Sequence, residues 1–216
     1  MRENQNPEAP FFTVVTCTFN RAGLIRRALD SLVAQECPDW ECVIVDDAST
    51  DDTREVVTPY LGSRVRYLYH DHQGCAMSKN TGLSAARGRY VTFLDSDDEY
   101  RPEHLRIRKE VLERERDIDL LHSDVDVVGN AFVPDRDDPS RLIPIAECVV
   151  GGTFVLRREA ALAVGGFPDV PLGDDAGLMA RFLTGGYKIK KIASATYVYY
   201  RDTPDSMCTD QFSRPS

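Results

Sequence analysis

The chain has 216 residues, of which 42% are hydrophobic and 28% charged, a composition typical of a globular protein that excludes a largely disordered one. Acidic residues outnumber basic ones by 35 to 26, and the net charge of −9 argues against binding to nucleic acid or to an anionic membrane surface. An acidic chain can still bind a phosphorylated ligand if a metal ion supplies the positive charge.

The cysteines and the first residues indicate the compartment. None of the six cysteines forms a CxxC pair or a zinc-spaced cluster, so we expect free thiols in a reducing environment. Residues 1–10 are polar and contain two prolines, unlike a signal peptide, and no apolar run approaches the roughly 20 residues of a membrane helix. We therefore expect a cytoplasmic protein with no membrane span, either free or peripheral to the inner face of a membrane, with residues 1–10 disordered.

Residues 11–121 alternate short apolar runs with helical periodicity. The apolar runs predict strands over 12–19, 41–45, 65–69 and 90–94. The periodic segments predict helices over 24–33, from 49 to about 60, over 75–86, and from 102 to about 116. Asn20 is the expected cap of the first helix, and Ser49 with Asp52 forms a capping pattern for the second. This alternation predicts right-handed βαβ units in an α/β fold, with a mostly parallel central sheet and helices on both faces.

Residues 118–216 contain fewer helices. The predicted strands cover 118–123, 125–133, 148–156 with a Gly-Gly break, 187–192 and 196–200. Two helices are predicted over 158–164 and 174–183, and residues 134–144 read as a charged, mobile loop. Residues 202–216 show no pattern and are expected to form a loose tail.

Polar sequences follow the strands of the first half: TFNR, DDAST, HDHQG and DSDD. Ligands of parallel sheets bind beyond the carboxyl ends of the strands, so these segments predict a site at that edge. DSDD (95–98) has the carboxylate spacing that presents oxygens to a hard cation bound to a diphosphate, but it also reads as an acidic turn.

Two further pairs of acidic residues are each open to two interpretations. The pair that ends VIVDD (43–47) would accept hydrogen bonds from a nucleotide base or ribose, or would cap the next helix. The pair in GDD (173–175) would supply a general base, or would only interact favourably with a helix dipole. Lys79 would pair with phosphate or be solvated, and His70 and His72 read as surface residues.

Five segments, taken together in this order and spacing, resemble glycosyltransferase family 2, whose members have the nucleotide-diphospho-sugar transferase (GT-A) fold. They are VVTCTFNRAGLIRRALDSLVAQ, WECVIVDDASTDDT, GCAMSKNTGLSAARGRYVTFLDSDDEYRPEHL, GDDAGLMARFLTGGYKI and YYRDTPDSM. The resemblance implies one GT-A domain over 11–201, with a nucleotide-sugar-binding half (11–121) and an acceptor half (122–201). It also implies inverting, metal-dependent transfer of a sugar from a nucleotide-diphosphate sugar to a hydroxyl of a saccharide, lipid-linked or small-molecule acceptor.

The resemblance also assigns roles to single residues. Phe19 and Asp47 would border the nucleotide base, and Asp95 would approach the ribose or share the metal with Asp97, which would hold Mg²⁺ or Mn²⁺. Asp175 would be the general base. The remaining substrate-binding residues would be Cys17, Thr18, Asn20, Lys79, Ser96 and Asp174.

The chain departs from the family pattern in its acceptor half and at one basic residue. Lys79 stands where the family usually has arginine, the small Ala176 and Gly177 suggest a roomier acceptor site, and no histidine lies near Thr203. Two alternatives remain open: a relative that binds a nucleotide sugar without turnover, and a phospho-accepting receiver-type domain, for which VIVDD would supply the acidic pair.

Overall fold

The computed structural model describes residues 9–135, 138, 140–170 and 173–202. Its six α-helices in that part of the chain are α1 (Ile25–Val33), α2 (Thr53–Val57), α3 (Cys75–Ala85), α4 (His104–Arg114), α5 (Arg158–Ala163) and α6 (Asp174–Thr184). Its strands are β1 (Phe12–Thr18), β2 (Trp40–Asp46), β3 (Val65–Tyr69), β4 (Tyr90–Phe93), β5 (Glu99–Tyr100), β6 (Leu120–Ser123), β7 (Asp126–Val128), β8 (Phe132–Pro134), β9 (Leu142–Pro144), β10 (Val155–Arg157), β11 (Ile189–Ile192) and β12 (Tyr197–Tyr200).

Seven strands form the central sheet, in the order β11-β6-β10-β4-β1-β2-β3. The neighbouring strands from β4 to β3 are parallel, β11 is parallel to β6, and β10 runs antiparallel between β4 and β6. A second sheet has the order β5-β12-β7, and β8 pairs with β9 as a hairpin. The predicted α/β fold with a mostly parallel central sheet is confirmed.

The alternation of side chains along the central strands divides the core between the two faces of the sheet. Phe12 and Val14 of β1 pack in one apolar cluster with residues of α1 and α4, whereas Val15 packs in another with residues of α3, α5 and α6. Because successive side chains of a strand point to opposite faces, β1 needs apolar residues at consecutive positions. The predicted helices on both faces are therefore present.

Several expected local features are wrong or incomplete. Neither Asn20 nor Ser49 caps a helix, because no side chain caps α1 or α2 by a hydrogen bond. The strand expected over 125–133 is split into β7 and β8 at Gly129, whose φ is +98°. The strand expected over 148–156 is reduced to β10, since its Gly-Gly break forms a 3₁₀ turn, Gly151–Thr153.

Other expectations fall outside the described part of the chain. The loop expected over 134–144 includes β9, and its residues 136, 137 and 139 are not described. Disorder is expected for residues 1–10 and a loose tail for residues 202–216. Of these, residues 1–8 and 203–216 lie outside the described ranges. Within those ranges, none of the helices combines the length and the hydropathy that a membrane span requires.

Candidate active site at the carboxyl edge of the sheet

A cavity of about 710 Å³ opens where β1, β2 and β4 end. The strand order reverses at β1, since β2 lies on one side of it and β4 on the other, and such a switch point leaves a crevice for a ligand. Eight of the expected site residues line this cavity: Cys17, Thr18, Phe19, Asp47, Asp95, Ser96, Asp97 and Asp174. Asn20, Lys79 and Asp175 do not line it, although Lys79 pairs with both Asp174 and Asp175.

One end of the cavity is aromatic and partly exposed. Phe19 is 43% exposed, and its ring lies 4.6 Å from the ring of His72. Nδ1 of His72 is 2.8 Å from Oδ2 of Asp47, and the backbone N–H groups of Gln73 and Gly74 donate to the same carboxylate at 2.7 and 2.9 Å. Asp47 therefore joins the end of β2 to the loop before α3. His72 is exposed, as the sequence predicts, and it also lines the cavity.

Asn20 acts between two loops rather than on a helix. Its N–H donates to the hydroxyl of Ser49 at 2.9 Å, and its Oδ1 accepts from the N–H of Thr50 at 2.8 Å. Asp51 continues this contact by accepting from the N–H of Ala22 at 3.0 Å. The loops after β1 and β2 are thus fastened together beside the aromatic end of the cavity.

The DSDD segment forms part of the wall of the cavity. Asp95 and Asp97 line it, whereas Asp98 is fully buried and accepts from the hydroxyl of Tyr197 at 2.6 Å and from the N–H of Tyr200 at 2.8 Å. Burial raises the pKa of Asp95 and of Asp98, and the neighbouring carboxylates raise both further. Three carboxyl groups are therefore crowded where a cation would relieve their repulsion.

This donor set fits Mg²⁺ or Mn²⁺ together with a diphosphate. Magnesium is usually bound by one or two carboxylates plus phosphate oxygens and water, and Asp95 and Asp97 are two such carboxylates on one wall. No group of three His, Cys, Asp or Glu side chains within the described ranges is arranged to hold a metal. Asp95 and Asp97 would therefore leave the other coordination positions to a ligand or to water.

An acid pair and a lysine meet at the start of α6. Nζ of Lys79 lies 2.9 Å from Oδ2 of Asp174 and 3.0 Å from Oδ1 of Asp175, and the N–H of Gly151 donates to Oδ2 of Asp175 at 2.9 Å. Burial raises the pKa of Asp175, although Lys79 acts in the opposite direction. Burial lowers the pKa of Lys79, but its carboxylate neighbours outweigh burial and hold that pKa well above its usual value, so the lysine stays charged.

The sequence missed three further contributors to the site. Tyr197, at the start of the apolar-looking run YVYY, reaches across to the DSDD segment, and Gly151 contacts Asp175. Pro168 fills the space beside Gly177, because a Cβ at position 177 would lie 2.5 Å from its Cγ. The small residue at 177 therefore accommodates a neighbouring loop and does not leave the room for an acceptor that its size suggested.

Comparisons with known proteins identify the family of this chain. Residues 13–161, well over half of the chain, match the family model described as Glycosyl transferase family 2. The chain is 38% identical over 99 residues to the putative teichuronic acid biosynthesis glycosyltransferase TuaG of Bacillus subtilis (strain 168), a match that covers 44% of this chain and 39% of TuaG. The chain thus spans well under half of that relative.

Two solved structures share the fold. The structure of S. aureus TarS 1–349 in complex with UDP-GlcNAc matches with a TM-score of 0.75 at 22% identity, over 92% of this chain and 60% of TarS 1–349. The mannosyltransferase PcManGT from Pyrobaculum calidifontis, in complex with GDP-Man and Mn²⁺, matches with a TM-score of 0.71 at 25% identity, over 95% of this chain and 60% of PcManGT. Both neighbours are GT-A fold transferases, which confirms the expected fold. The sequence match and the shared fold together show that this chain belongs to glycosyl transferase family 2.

Proposed function

We propose that the protein transfers a sugar from a nucleotide-diphosphate sugar to an acceptor hydroxyl, with inversion at the anomeric carbon. The observation that carries this proposal is the cavity at the switch point, because an aromatic end, two carboxylates and Asp174 line it, and Asp174 connects it to the ion pair of Lys79 with Asp175. A nucleotide sugar has a part suited to each of these regions: a base, a diphosphate and a reacting sugar.

The donor would lie along the cavity from Phe19 to the DSDD segment. Phe19 offers an exposed ring for the base, with Asp47 beside it. The hydroxyl of Thr18 is buried in the cavity wall and has no hydrogen-bond partner among the described residues. Because that oxygen has almost no accessible surface, Thr18 supports the proposal only as part of the cavity wall.

The diphosphate would lie against Asp95 and Asp97. These residues would hold Mg²⁺ or Mn²⁺, which supplies positive charge to the leaving diphosphate. PcManGT was solved with Mn²⁺, which supports the choice of metal. Lys79 uses two of its three N–H donors on Asp174 and Asp175, and we assign the third to a phosphate oxygen.

Asp175 is the proposed general base. It takes the proton of the acceptor hydroxyl as the new bond from the acceptor oxygen to the anomeric carbon forms and the bond from that carbon to the diphosphate oxygen breaks. Attack opposite the leaving group inverts the anomeric centre. Burial raises its pKa, which makes the ionised carboxylate a stronger base than that of an exposed aspartate.

The receiver-type alternative finds no support at the VIVDD pair. Asp46 is fully buried and accepts from the N–H of Ser49, while Asp47 accepts from two backbone N–H groups. Lys79 pairs with the acids of α6 and not with either of these residues. A relative that binds donor without turnover remains the second candidate, and the experiment below separates it.

We further propose that residues 11–201 act as one unit, with donor residues mainly in 11–121 and acceptor residues in 122–201. The five described cysteines are free thiols, which supports a reducing, cytoplasmic compartment.

The test compares Asp175→Asn with Asp174→Asn, and with Asp117→Asn as an exposed control. Turnover is measured by release of nucleoside diphosphate from a panel of nucleotide sugars that includes UDP-GlcNAc and GDP-mannose, with mixed saccharide acceptors. We expect Asp175→Asn to lose about 10²–10⁴-fold in kcat and to bind UDP or GDP normally, since general-base catalysis contributes that much. A wild-type protein that binds nucleoside diphosphate but shows no turnover would favour the binding-only candidate. Near-normal turnover in Asp175→Asn would exclude Asp175 as the general base.

A further inference from the structure

We propose that Gly151 is the positioning residue for Asp175: its backbone N–H and its missing side chain together hold the carboxylate of the base in the orientation needed for proton transfer. This inference rests on the proposed role of Asp175. It adds to that role a residue from another part of the chain, 24 positions away, which does not line the cavity.

The carboxylate of Asp175 is held at both oxygens by different elements. Lys79 of α3 donates to Oδ1 at 3.0 Å, and Gly151, in the 3₁₀ turn before β10, donates to Oδ2 at 2.9 Å. Two donors on opposite oxygens fix the rotation of the carboxyl group as well as its location. A base must be held in this way because its lone pair has to meet the acceptor proton.

The closest steric contacts at Gly151 are all with Asp175. A Cβ placed on Gly151 would lie 2.1 Å from Oδ1, 2.4 Å from Cγ and 2.6 Å from Oδ2 of Asp175, and these are its three nearest atoms. Gly151 is not among the described glycines with a positive φ, so its backbone conformation is open to any residue. Close approach to Asp175, and not backbone strain, is therefore what requires glycine here.

The neighbouring glycine serves a different group of carboxylates. A Cβ on Gly152 would lie 2.1–2.4 Å from the ring and hydroxyl of Tyr197, whose hydroxyl donates to Asp98 and lies 3.2 Å from Oδ2 of Asp95. Gly151 therefore faces the proposed base, and Gly152 faces the proposed metal segment. Alanine at position 151 should displace Asp175 and leave Tyr197 packed against Gly152. Alanine at position 152 should displace Tyr197 and leave Asp175 packed against Gly151.

The first experiment uses this difference. Gly151→Ala, Gly152→Ala and the control Gly62→Ala, whose added Cβ meets no atom within 4 Å, are assayed for turnover and for binding of UDP and GDP with Mn²⁺. An alanine at 151 must displace the carboxylate by about 1 Å, and a misplacement of that size can cost about a hundredfold in rate. We expect Gly151→Ala to lower kcat by about ten- to a hundredfold with an unchanged donor KM, and Gly62→Ala to match the wild type.

Two results of this experiment would overturn the proposal. Wild-type kcat in Gly151→Ala would show that the contact does not position the base. The same loss of kcat with unchanged donor binding in Gly152→Ala would show that any disturbance of this turn has that effect. We expect Gly152→Ala to differ, with weaker binding of UDP or GDP in the presence of Mn²⁺.

A second measurement needs no turnover. Gly151→Ala should lower the Tm of the wild-type chain by about 2–4 °C, a shift expected in a chain of this size, and should have no effect in an Asp175→Ala background, where the clashing carboxylate is gone. An equal fall in Tm in both backgrounds would show that the side chain added at position 151 does not clash with Asp175. A wild-type chain without transferase activity would instead overturn the proposed function, and with it the role of Gly151, whatever the stability cycle shows.

Discussion

Arg108 is fully buried and hydrogen-bonds only to uncharged groups within the described part of the chain. Its guanidinium donates to the carbonyl of His104 and to the hydroxyls of Thr196 and Ser123, at 3.1, 2.8 and 2.7 Å. Burial lowers the pKa of Arg108 to about 10, so it is still charged at neutral pH. That charge lies beside His104, whose ring stacks on Tyr100 with centroids 3.7 Å apart.

His104 makes stability depend on pH. Burial, helped by the nearby Arg108, holds its pKa well below the usual value, so the folded protein does not take up the proton that the unfolded chain binds below pH ~6.5. The contribution of His104 is therefore complete above that pH and is lost as the pH falls, by about 1.4 kcal/mol per unit. We expect the free energy of unfolding to fall by about 2 kcal/mol more in the wild type than in His104→Phe between pH 7.5 and 5.0.

Urea denaturation at the two pH values measures this difference. Phenylalanine keeps a ring to stack on Tyr100, and Thr196 keeps its bond to Arg108, so the variant should fold. An equal fall in both proteins would mean that His104 takes up a proton without unfolding.

Single residues were predictable where their position in the fold gave them a role. Asp47, Asp95 and Asp97 follow buried strands, so the sheet alone brings them to one edge. The ion pair of Lys79 with Asp175 was not predictable, because its partners are 96 positions apart and depend on how α3 and α6 pack. Asparagine is a common helix-cap residue, but at Asn20 a φ of +52° accompanies a side chain that hydrogen-bonds to Thr50 in the loop after β2.

At the scale of elements, α3 lies close enough to β1 that no side chain fits between them at one point. A Cβ on Gly82 would lie 2.3 Å from Cγ1 and 2.9 Å from Cγ2 of Val15. Val15 is 1% exposed, and a β-branched side chain in a packed core has few other rotamers. Gly82 therefore sets the height of α3 above the sheet, and with it the position of Lys79 on the same helix.

Replacing Gly82 by alanine tests this packing. Alanine favours a helix by about 1 kcal/mol over glycine, but overpacking a core costs about 1–3 kcal/mol. We expect Gly82→Ala to lower the free energy of unfolding by about 1–2 kcal/mol in the wild type and to be neutral or stabilising in a Val15→Ala background. Thermal or urea denaturation of the four proteins measures this, and a loss of equal size in both backgrounds would rule out Val15 as the obstacle.

The elements of the first half were predictable because propensity and tertiary environment agree there. β3 lies over the expected residues, and α1, α3 and α4 lie close to theirs. The two-residue β5 and the antiparallel placement of β10 were not predictable, since both depend on pairing with distant strands, β12 for the first and β4 and β6 for the second.

Viewed as a whole, the molecule concentrates negative charge around its main cavity. The net charge is −9, and Asp47, Asp95, Asp97 and Asp174 all line the wall. A nucleoside diphosphate is itself an anion, so these carboxylates repel it unless a cation lies between them. Donor binding should therefore depend on a divalent metal.

Thermal denaturation with UDP or GDP, with Mn²⁺ or with excess chelator, tests this dependence. At a ligand concentration 100 times Kd the stabilisation is about 2.7 kcal/mol, which corresponds to about 5–10 °C in Tm for a chain of this size. We expect that shift with Mn²⁺, little shift with chelator, and loss of the metal-dependent part in Asp97→Asn. Equal shifts with metal and with chelator would exclude a metal role in donor binding.

The fastening of the loops after β1 and β2 through Asn20 also affects how a ligand enters. Their backbone N–H groups are already paired across the gap, with Ser49, Asp51 and Asn20 as acceptors. A ligand that binds at this end contacts loops that are already ordered, so little conformational entropy is lost on association. Removing the hydrogen bonds between these two loops should weaken ligand binding mainly by raising its entropic cost, even though no atom that contacts the ligand is removed.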